Sequence, residues 1–443
     1  MAALDPIATD TDILAPMSDL QRHWWASERL SADPALVMPV AVSLRGRLDA
    51  QALGAAARAV AQRHESLRTN FGRVAGKPVQ IIHSRPREPV VWTQDISDVP
   101  EPERPAALRE VLAREHGRPL DLARDPLMRL GVVRRAENDF VLALTLHHVV
   151  ADGWSVDVLW RDLAREYARV LRGGPEPVDA PPPQMRDWVA REQRVARGPK
   201  AAAEIAYWRP VLREVRPVGI PGDLPTGEVP PPHRRCTRRF TLPEEVGAAL
   251  VASAKKFRAT PHMIALAAFM RLLGRCAQRP DAAVITLFNR RGAPEVAELV
   301  GCVLNFAVIA VSVPPDDGPG PLVRVVRSAL LDAYEHQEIC AQRIWRETGF
   351  SPASVDVMFI FDQEPPADER IFLGDAVLEP HVEAEANERE RPGAAAPGIK
   401  FRLHLTRAGL TGGIGYDANC YSPAFIDAFV DAYATSLSET VLD

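Results

Sequence analysis

Phe140-Val141-Leu142-Ala143-Leu144-Thr145-Leu146, running without a break into His147-His148-Val149-Val150-Ala151-Asp152-Gly153-Trp154-Ser155, is the stretch that decides the fold. A continuous β-prone run predicts a strand covered on both faces, since a strand with one wet face alternates apolar and polar residues instead. After Gly153, apolar residues recur at Val156, Leu159, Trp160, Leu163, Tyr167, Val170 and Leu171. That spacing is the stripe of an amphipathic helix, and it stops near Gly173 and Gly174. A buried strand handing its chain directly to a helix is a building block of layered α/β folds, and the paired histidines stand at the junction.

The same mixture extends in both directions. Asp49 is placed to cap a helix through Leu53, Ala57 and Val60. Downstream, helices are expected over Pro243–Lys256 and Pro261–Cys276, strands over Ala283–Leu287 and Val303–Val313, and a closing helix carrying Phe425, Phe429, Tyr433, Leu437 and Val441. The fold class that follows is α/β, in two sandwich lobes, since 443 residues exceed what one core normally holds. Proline- and glycine-rich stretches at Gly173–Pro183, Val215–Pro232 and Gln363–Gly398 read as connections. The first sets the expected boundary between an N-terminal lobe, 1–178, and a C-terminal lobe, 179–443. The last reads as a mobile surface loop.

Composition narrows the function classes. Hydrophobic residues at 47% and charged residues at 25% exclude a disordered chain. A net charge of −5 without basic runs argues against nucleic acid as a partner. No apolar stretch approaches membrane-spanning length and the first residues lack a basic leader, so a soluble, cytoplasmic protein is expected. Met1 followed by an unremarkable leader favours a free-standing protein. Cys236, Cys276, Cys302, Cys340 and Cys420 are odd in number and form no Cys-x-x-Cys pair, which points to reduced thiols rather than disulfides or zinc.

Three chemical uses compete for the paired histidines. Adjacent strand residues point to opposite faces, which disfavours one metal ion gripped by both. No Gly-x-Ser-x-Gly elbow or activated cysteine supplies a covalent nucleophile. An imidazole acting as general base on an incoming nucleophile, with Asp152 fixing the turn, is the third use. Two satisfied histidines at a strand end are the structural alternative.

The segment His147 to Ser155 resembles the His-His-x-x-x-Asp-Gly-Trp-Ser signature of nonribosomal peptide synthetase condensation domains, members of the chloramphenicol acetyltransferase-like superfamily. Arg63-His64-Glu65-Ser66-Leu67-Arg68-Thr69-Asn70-Phe71 is similar to that family's Arg-His-Glu-x-Leu-Arg-Thr-x-Phe segment. Val300 to Phe306, with Arg291 ahead of it, resembles Ile-Gly-x-Phe-Val-Asn-Thr. Tyr207-Trp208-Arg209 and His336-Gln337-Glu338 echo two further family segments, and all follow in family order. Departures stand at Pro16 to Trp25, at Asp187-Trp188 and at Asn305-Phe306, and no Arg-Asp-x-Ser-Arg-Asn segment stands near Ser351.

The resemblance implies two acetyltransferase-like lobes in a V-shaped pseudo-dimer, with a tunnel between them. It implies His148 acting on the nucleophile, His147 packed beside it, and Gly153 keeping bulk out and offering an amide to an oxyanion. Asp152 and Arg291 would form a structural ion pair. Trp154, Ser155 and Asn305 are candidates for the tunnel lining, although tryptophans such as Trp24, Trp25 and Trp154 more often sit in cores and Asn305 would equally cap a strand. Arg63, His64, Glu65 and Arg68 read as a stabilising polar network.

The implied reaction forms an amide or ester from a carrier-bound acyl thioester and an amine or hydroxyl acceptor. No metal and no bound cofactor are expected, and no phosphopantetheine attachment site is present, so donor and acceptor carriers are supplied in trans unless the acceptor is a small molecule. Two other readings compete. One is an acyltransferase of the same superfamily with a soluble acceptor or a coenzyme A donor, and the other an inactive docking platform.

Overall fold

A strand with apolar residues on both faces needs cover on both sides, and Asp139–His147 (β7) receives it. The structure, a computed structural model, describes residues 11–30, 36–86, 90–174, 181–216, 219–224, 233–312, 318–363, 371–380, 391–393, 398–407 and 409–442. β7 lies between Val37–Arg45 (β2) and Met128–Ala136 (β6), antiparallel to both. Its even residues Leu142, Leu144 and Leu146 pack with Leu53 and Val60 of Ala50–Arg63 (α2) and with Leu159 and Leu163 of Gly153–Leu171 (α4). Its odd residues Val141 and Ala143 pack with Leu108, Val111 and Leu112 of Arg104–Gly117 (α3). Each fully buried leucine of this kind stabilises by about 1.5–3 kcal/mol.

The chain packs as two compact units, and neither is a single stretch. The first takes Met1–Arg194, Arg291–Val303 and Ala367–Glu383. Its six-stranded sheet runs Phe372–Leu373 (β12), Ala376–Pro380 (β13), β2, β7, β6 and Val90–Asp95 (β5), with β5 and β6 parallel. A smaller sheet orders Ile13–Pro16 (β1), Lys77–Ile82 (β4) and Thr69–Val74 (β3). The other helices include Asp19–Leu30 (α1) and Met185–Arg197 (α5), whose last residues pass into the second unit. As expected, Asp49 caps α2, its carboxylate accepting from the Gln51 and Ala52 amides.

The second unit takes Val195–Arg290, Leu304–Pro366 and Ala384–Asp443. Seven strands run Leu304–Ser312 (β10), Asp281–Asn289 (β9), Val357–Gln363 (β11), Ile399–Thr406 (β15), Gly409–Asp417 (β16), His233–Thr241 (β8) and Arg391–Gly393 (β14). Glu244–Phe257 (α7), Pro261–Ala277 (α8) and Pro423–Leu442 (α11) cover one face. Phe269 of α8, Phe359 of β11, Phe401 of β15 and Tyr433 of α11 form an aromatic cluster in that core. Pro199–Glu214 (α6), Pro319–Glu335 (α9) and Ala341–Thr348 (α10) complete the unit.

Two expectations change. Within Gln363–Gly398, read from sequence as a loop, β12, β13 and β14 are strands that extend the two sheets, and residues 364–370, 381–390 and 394–397 lie outside the described residues. Leu171, placed on the buried stripe of α4, is 50% exposed because the helix ends there.

Packing against β6 makes one glycine a sharp test of the first sheet. Gly131 lies opposite Trp92 of β5, and a Cβ built on it would fall 2.0 Å from the indole ring. Gly131→Ala should therefore destabilise the protein by about 1–3 kcal/mol, the usual cost of overpacking. Chemical denaturation with an unchanged midpoint would show that the indole swings away freely.

Candidate active site

The strand ends as its hydrogen bonds change partner. The amide of His147 donates to the Leu127 carbonyl and that of His148 to the Leu36 carbonyl, at 3.1 and 2.7 Å. The Val150 amide then turns back to the His147 carbonyl, and α4 starts at Gly153 with Asp152 as its cap. Asp152 and Ser155 form a reciprocal capping box, the arrangement that satisfies otherwise orphaned amides at a helix start.

The two histidines are fixed in opposite tautomers. At His147 the Val149 amide donates to Nδ1 at 3.0 Å, so the ring proton sits on Nε2 and is donated to Glu28 of α1 at 2.7 Å. The ring is fully buried and engaged at both nitrogens. At His148 the partner of Nδ1 is the Ala151 carbonyl at 3.3 Å, which only accepts, so Nδ1 carries the proton and the lone pair of the neutral ring is on Nε2. Trp24 lies beside this ring, with centroids 5.4 Å apart, and His148 is only partly buried. An imidazole with a fixed Nδ1–H and a basic Nε2 is the state a general base requires.

Below the turn lies a dense polar hub. The Arg291 guanidinium reaches both Asp152 oxygens, at 2.9 and 3.0 Å, with side chains 1% exposed. Its other nitrogen donates to the Val296 and Leu299 carbonyls, so the arginine also shapes the segment from which it comes. Asp152 further accepts from the Ser155 and Val303 amides. The Ser155 hydroxyl has one proton to share between Asp152 and the Gly301 carbonyl, and accepts from the Gly301 amide. Gly301 leaves room for Met185, whose sulfur a Cβ there would meet at 2.6 Å.

Other predicted residues separate by role. Gly153 is exposed at the first position of α4, and a Cβ on it would meet nothing within 4 Å. Among the described residues no packing demands glycine at this position. Trp154 is 42% exposed rather than core, its indole donating to the Ala297 carbonyl, whereas Trp24 and Trp25 are buried. Ser155 and Asn305 do not line an open surface: both are buried and their side chains are spent on internal hydrogen bonds. In the second unit Asn305 donates to the Gln337 and Ile339 carbonyls and accepts from the Phe306 and Ala341 amides. It thereby pins the His336-Gln337-Glu338 segment to the start of β10.

That segment meets the Tyr207-Trp208 pair, for His336 stacks on Tyr207 at 3.7 Å and its carbonyl accepts from the Trp208 indole. Sequence reading missed Glu204 below them, 3.8 Å from His336, whose pKa burial pushes up to about 7 against the pull of Lys200. It also missed Glu28, since nothing in the sequence near it marks a partner for His147. The Arg63 to Arg68 segment is the expected network: His64 bonds Asp162 of α4 at 2.6 Å, and Arg68 and Arg186 flank Glu65. Burial alone would raise Asp162, but the His64 bond and the Arg165 and Arg63 cations outweigh it and hold the carboxyl below its usual value. Among the described residues no cluster of histidine, cysteine and carboxylate side chains is placed to hold a metal, and no helix is long and apolar enough to cross a membrane.

The chain with this geometry is similar to known proteins along its whole length. The family model described as "Condensation domain" matches residues 13–443. Cyclosporin synthetase simA of Tolypocladium inflatum is 30% identical over 97% of this chain, which spans 3% of that protein. Phosphinothricin tripeptide synthetase PhsC of Streptomyces viridochromogenes is 29% identical over 95% of the chain, spanning 39% of its own length. Among solved structures, SgcC5 of Streptomyces globisporus, in complex with (R)-(-)-1-(2-naphthyl)-1,2-ethanediol and sucrose, superposes with a TM-score of 0.83 and 25% identity, over 96% of this chain and 98% of its own. The first condensation domain of the CDA synthetase gives a TM-score of 0.82 at 19% identity, over 98% and 97% of the two chains.

The hub yields a quantitative expectation. Asp152→Ala and Arg291→Ala should each cost about 3–5 kcal/mol, because each leaves a buried charge alone. The double variant should lose clearly less than the sum, by the coupling expected of residues in contact. Strict additivity in urea melts would reject the pair as the element that holds the turn.

Proposed function

Since this chain belongs to the condensation domain family, we propose that it forms an amide or ester bond between an acyl or aminoacyl group, delivered as a thioester on a carrier protein's phosphopantetheine arm, and an amine or hydroxyl acceptor. Condensation domains of nonribosomal peptide synthetases carry out this acyl transfer with carrier-borne substrates. The observation that carries the reading here is the 3.3 Å contact between His148 Nδ1 and the Ala151 carbonyl, an acceptor that favours the proton on Nδ1.

In the proposed reaction the acceptor attacks the thioester carbonyl carbon while its proton passes to Nε2 of His148. The tetrahedral intermediate then expels the thiolate, the carbon–sulfur bond breaks, and the proton returns from the imidazolium to the departing sulfur. Such assistance is worth about 10²–10⁴ in rate, and holding the reactants in place contributes comparably. The Gly153 amide, in the first turn of α4, is the proposed donor to the developing oxyanion, helped by the positive end of the helix. The open space at its Cα supports a role in leaving room for substrate. His147 is proposed as a positioning residue. It ties the turn to α1 through Glu28 and so fixes the neighbouring ring.

The acceptor is open to two forms, a second carrier-borne aminoacyl group or a small free nucleophile. The aromatic diol in the SgcC5 structure supports the second. An inactive docking role is less consistent with an intact, hydrogen-bonded histidine pair, whereas a coenzyme A donor is separated by the comparison of donors below.

Replacing His148 by Ala should lower turnover by about 10²-fold or more with folding intact, as expected on loss of a positioned base. His147→Ala should instead lower the melting temperature. Near wild-type turnover of a folded His148→Ala protein removes the base assignment. With one acyl group and one acceptor, the loaded carrier should exceed the coenzyme A thioester at least about tenfold in kcat/KM, because carrier binding away from the reacting atoms contributes to catalysis. Equal constants, with products identified by mass spectrometry, would favour the soluble acyltransferase.

A further inference from the structure

Within the second unit, β15, β16 and β8 lie side by side, with Lys400, Gly415 and Thr237 in one row and Arg402, Gly413 and Arg239 in the next. The opposite face of these strands is the helix-covered core. Cys236, Tyr416 and Phe401 belong to it, and Arg238 turns that way to pair with Asp427 of α11. Lys400, Arg402, His404, Thr237 and Arg239 are all exposed on the other face.

Two features of that face are costly to the fold itself. Arg235, Arg239, Lys400 and Arg402 gather like charges on this face, with Arg239 and Arg402 on either side of Gly413. Two carboxylates on the same face, Asp362 and Asp417, offset part of this charge. Asp362 makes a solvent-exposed pair with Arg402 at 3.3 Å, and one Asp417 oxygen accepts from the Arg234 and Asn419 amides. Among the described residues neither Lys400 nor Arg239 has an ion-pair partner. Burial of its charged end, followed by the Arg402 and Arg235 cations, pushes the Lys400 pKa down to about 8 even though the residue as a whole reaches solvent.

The second feature is the strand between the cations. Glycine weakens a strand interior and often marks a place where a ligand comes close to the backbone. Gly412, whose Cβ would strike Phe240 at 2.3 Å, is explained by packing. Gly413 and Gly415 are not, for the nearest atoms to a Cβ there lie at 3.8 and 3.7 Å, and neither has a positive φ. Strands are spaced by about 4.8 Å, so Arg239 and Arg402 stand about 10 Å apart at the backbone across bare Gly413, within joint reach of one small group.

We propose that this glycine-floored, cationic patch on β8, β16 and β15 is a binding site for the oxyanion of a small molecule, a carboxylate or a phosphate. The planar forks of two arginines match either group, and Lys400 adds a point charge. The cations span two rows only, and the whole chain carries a net charge of −5, which fits one anionic group and not an extended polyanion.

The test uses the full chain in low-salt buffer free of other oxyanions, with calorimetric titration of inorganic phosphate in one arm and N-acetylglycine in the other. Arg239→Gln and Lys400→Met should each raise Kd by about tenfold, the loss of one charge-assisted hydrogen bond. Gly413→Val should weaken binding at least as much while the melting temperature holds or rises, since valine is the better strand former. Arg238→Gln, on the opposite face, should leave Kd unchanged. Binding of phosphate alone or of the carboxylate alone upholds the site and assigns its source. Failure of both probes to bind, or equal affinities for wild type, Arg239→Gln and Gly413→Val, overturns it. None of these measurements depends on His148 or on condensation activity.

Discussion

A carboxylate withdrawn from water must be answered by a cation and by amides, and Asp152 is answered by both. Its partner Arg291 arrives from a segment far along the chain, and the same guanidinium braces the carbonyls of Val296, Leu299 and Gly301. The first turn of α4, the Val300 to Val303 segment and the start of the histidine turn are therefore one hydrogen-bonded body. The place of His148 depends on that body, because the Ala151 carbonyl that orients its ring directly precedes the capped aspartate.

The histidine pair illustrates how neighbouring residues of one type are given different work. His147 is closed on both sides, by a backbone amide and by Glu28, which leaves it no nitrogen to offer a substrate. His148, one residue on, has left the buried strand, and its Nδ1 meets the Ala151 carbonyl within the turn. The division follows from the end of β7 at His147, since the last strand residue and the first residue of the turn meet different surroundings.

Much of this was legible in the sequence because it is local. β7, the stripe of α4, the Asp49 cap and the helices and strands of the second half lie within a few residues of where periodicity and capping rules put them. The Asp152–Arg291 pair was reached through resemblance, and the fold brings the two side chains together. What local reading missed is long-range. Glu28 and Glu204 acquire meaning only from partners more than a hundred residues away. β12 and β13 sit in a segment whose composition reads as loop and become strands because β2 offers them an edge. Asn305 and Ser155, polar residues in motifs, were candidates to meet substrate, and burial gives them to the scaffold instead.

The interleaving of the two units has a consequence for the order in which the molecule can be made. The hub joins residues 139 apart, and β13 closes the edge of β2 with residues still further along the chain. An N-terminal half emerging from the ribosome thus holds an unanswered buried aspartate and an uncovered sheet edge until residue 380 has been synthesised. Sub-global opening of the finished protein should follow the reverse order. The returning segments would detach first, and amide hydrogens in β7 would be among the last to exchange, so that the histidine turn loses its frame before the strand beneath it unfolds.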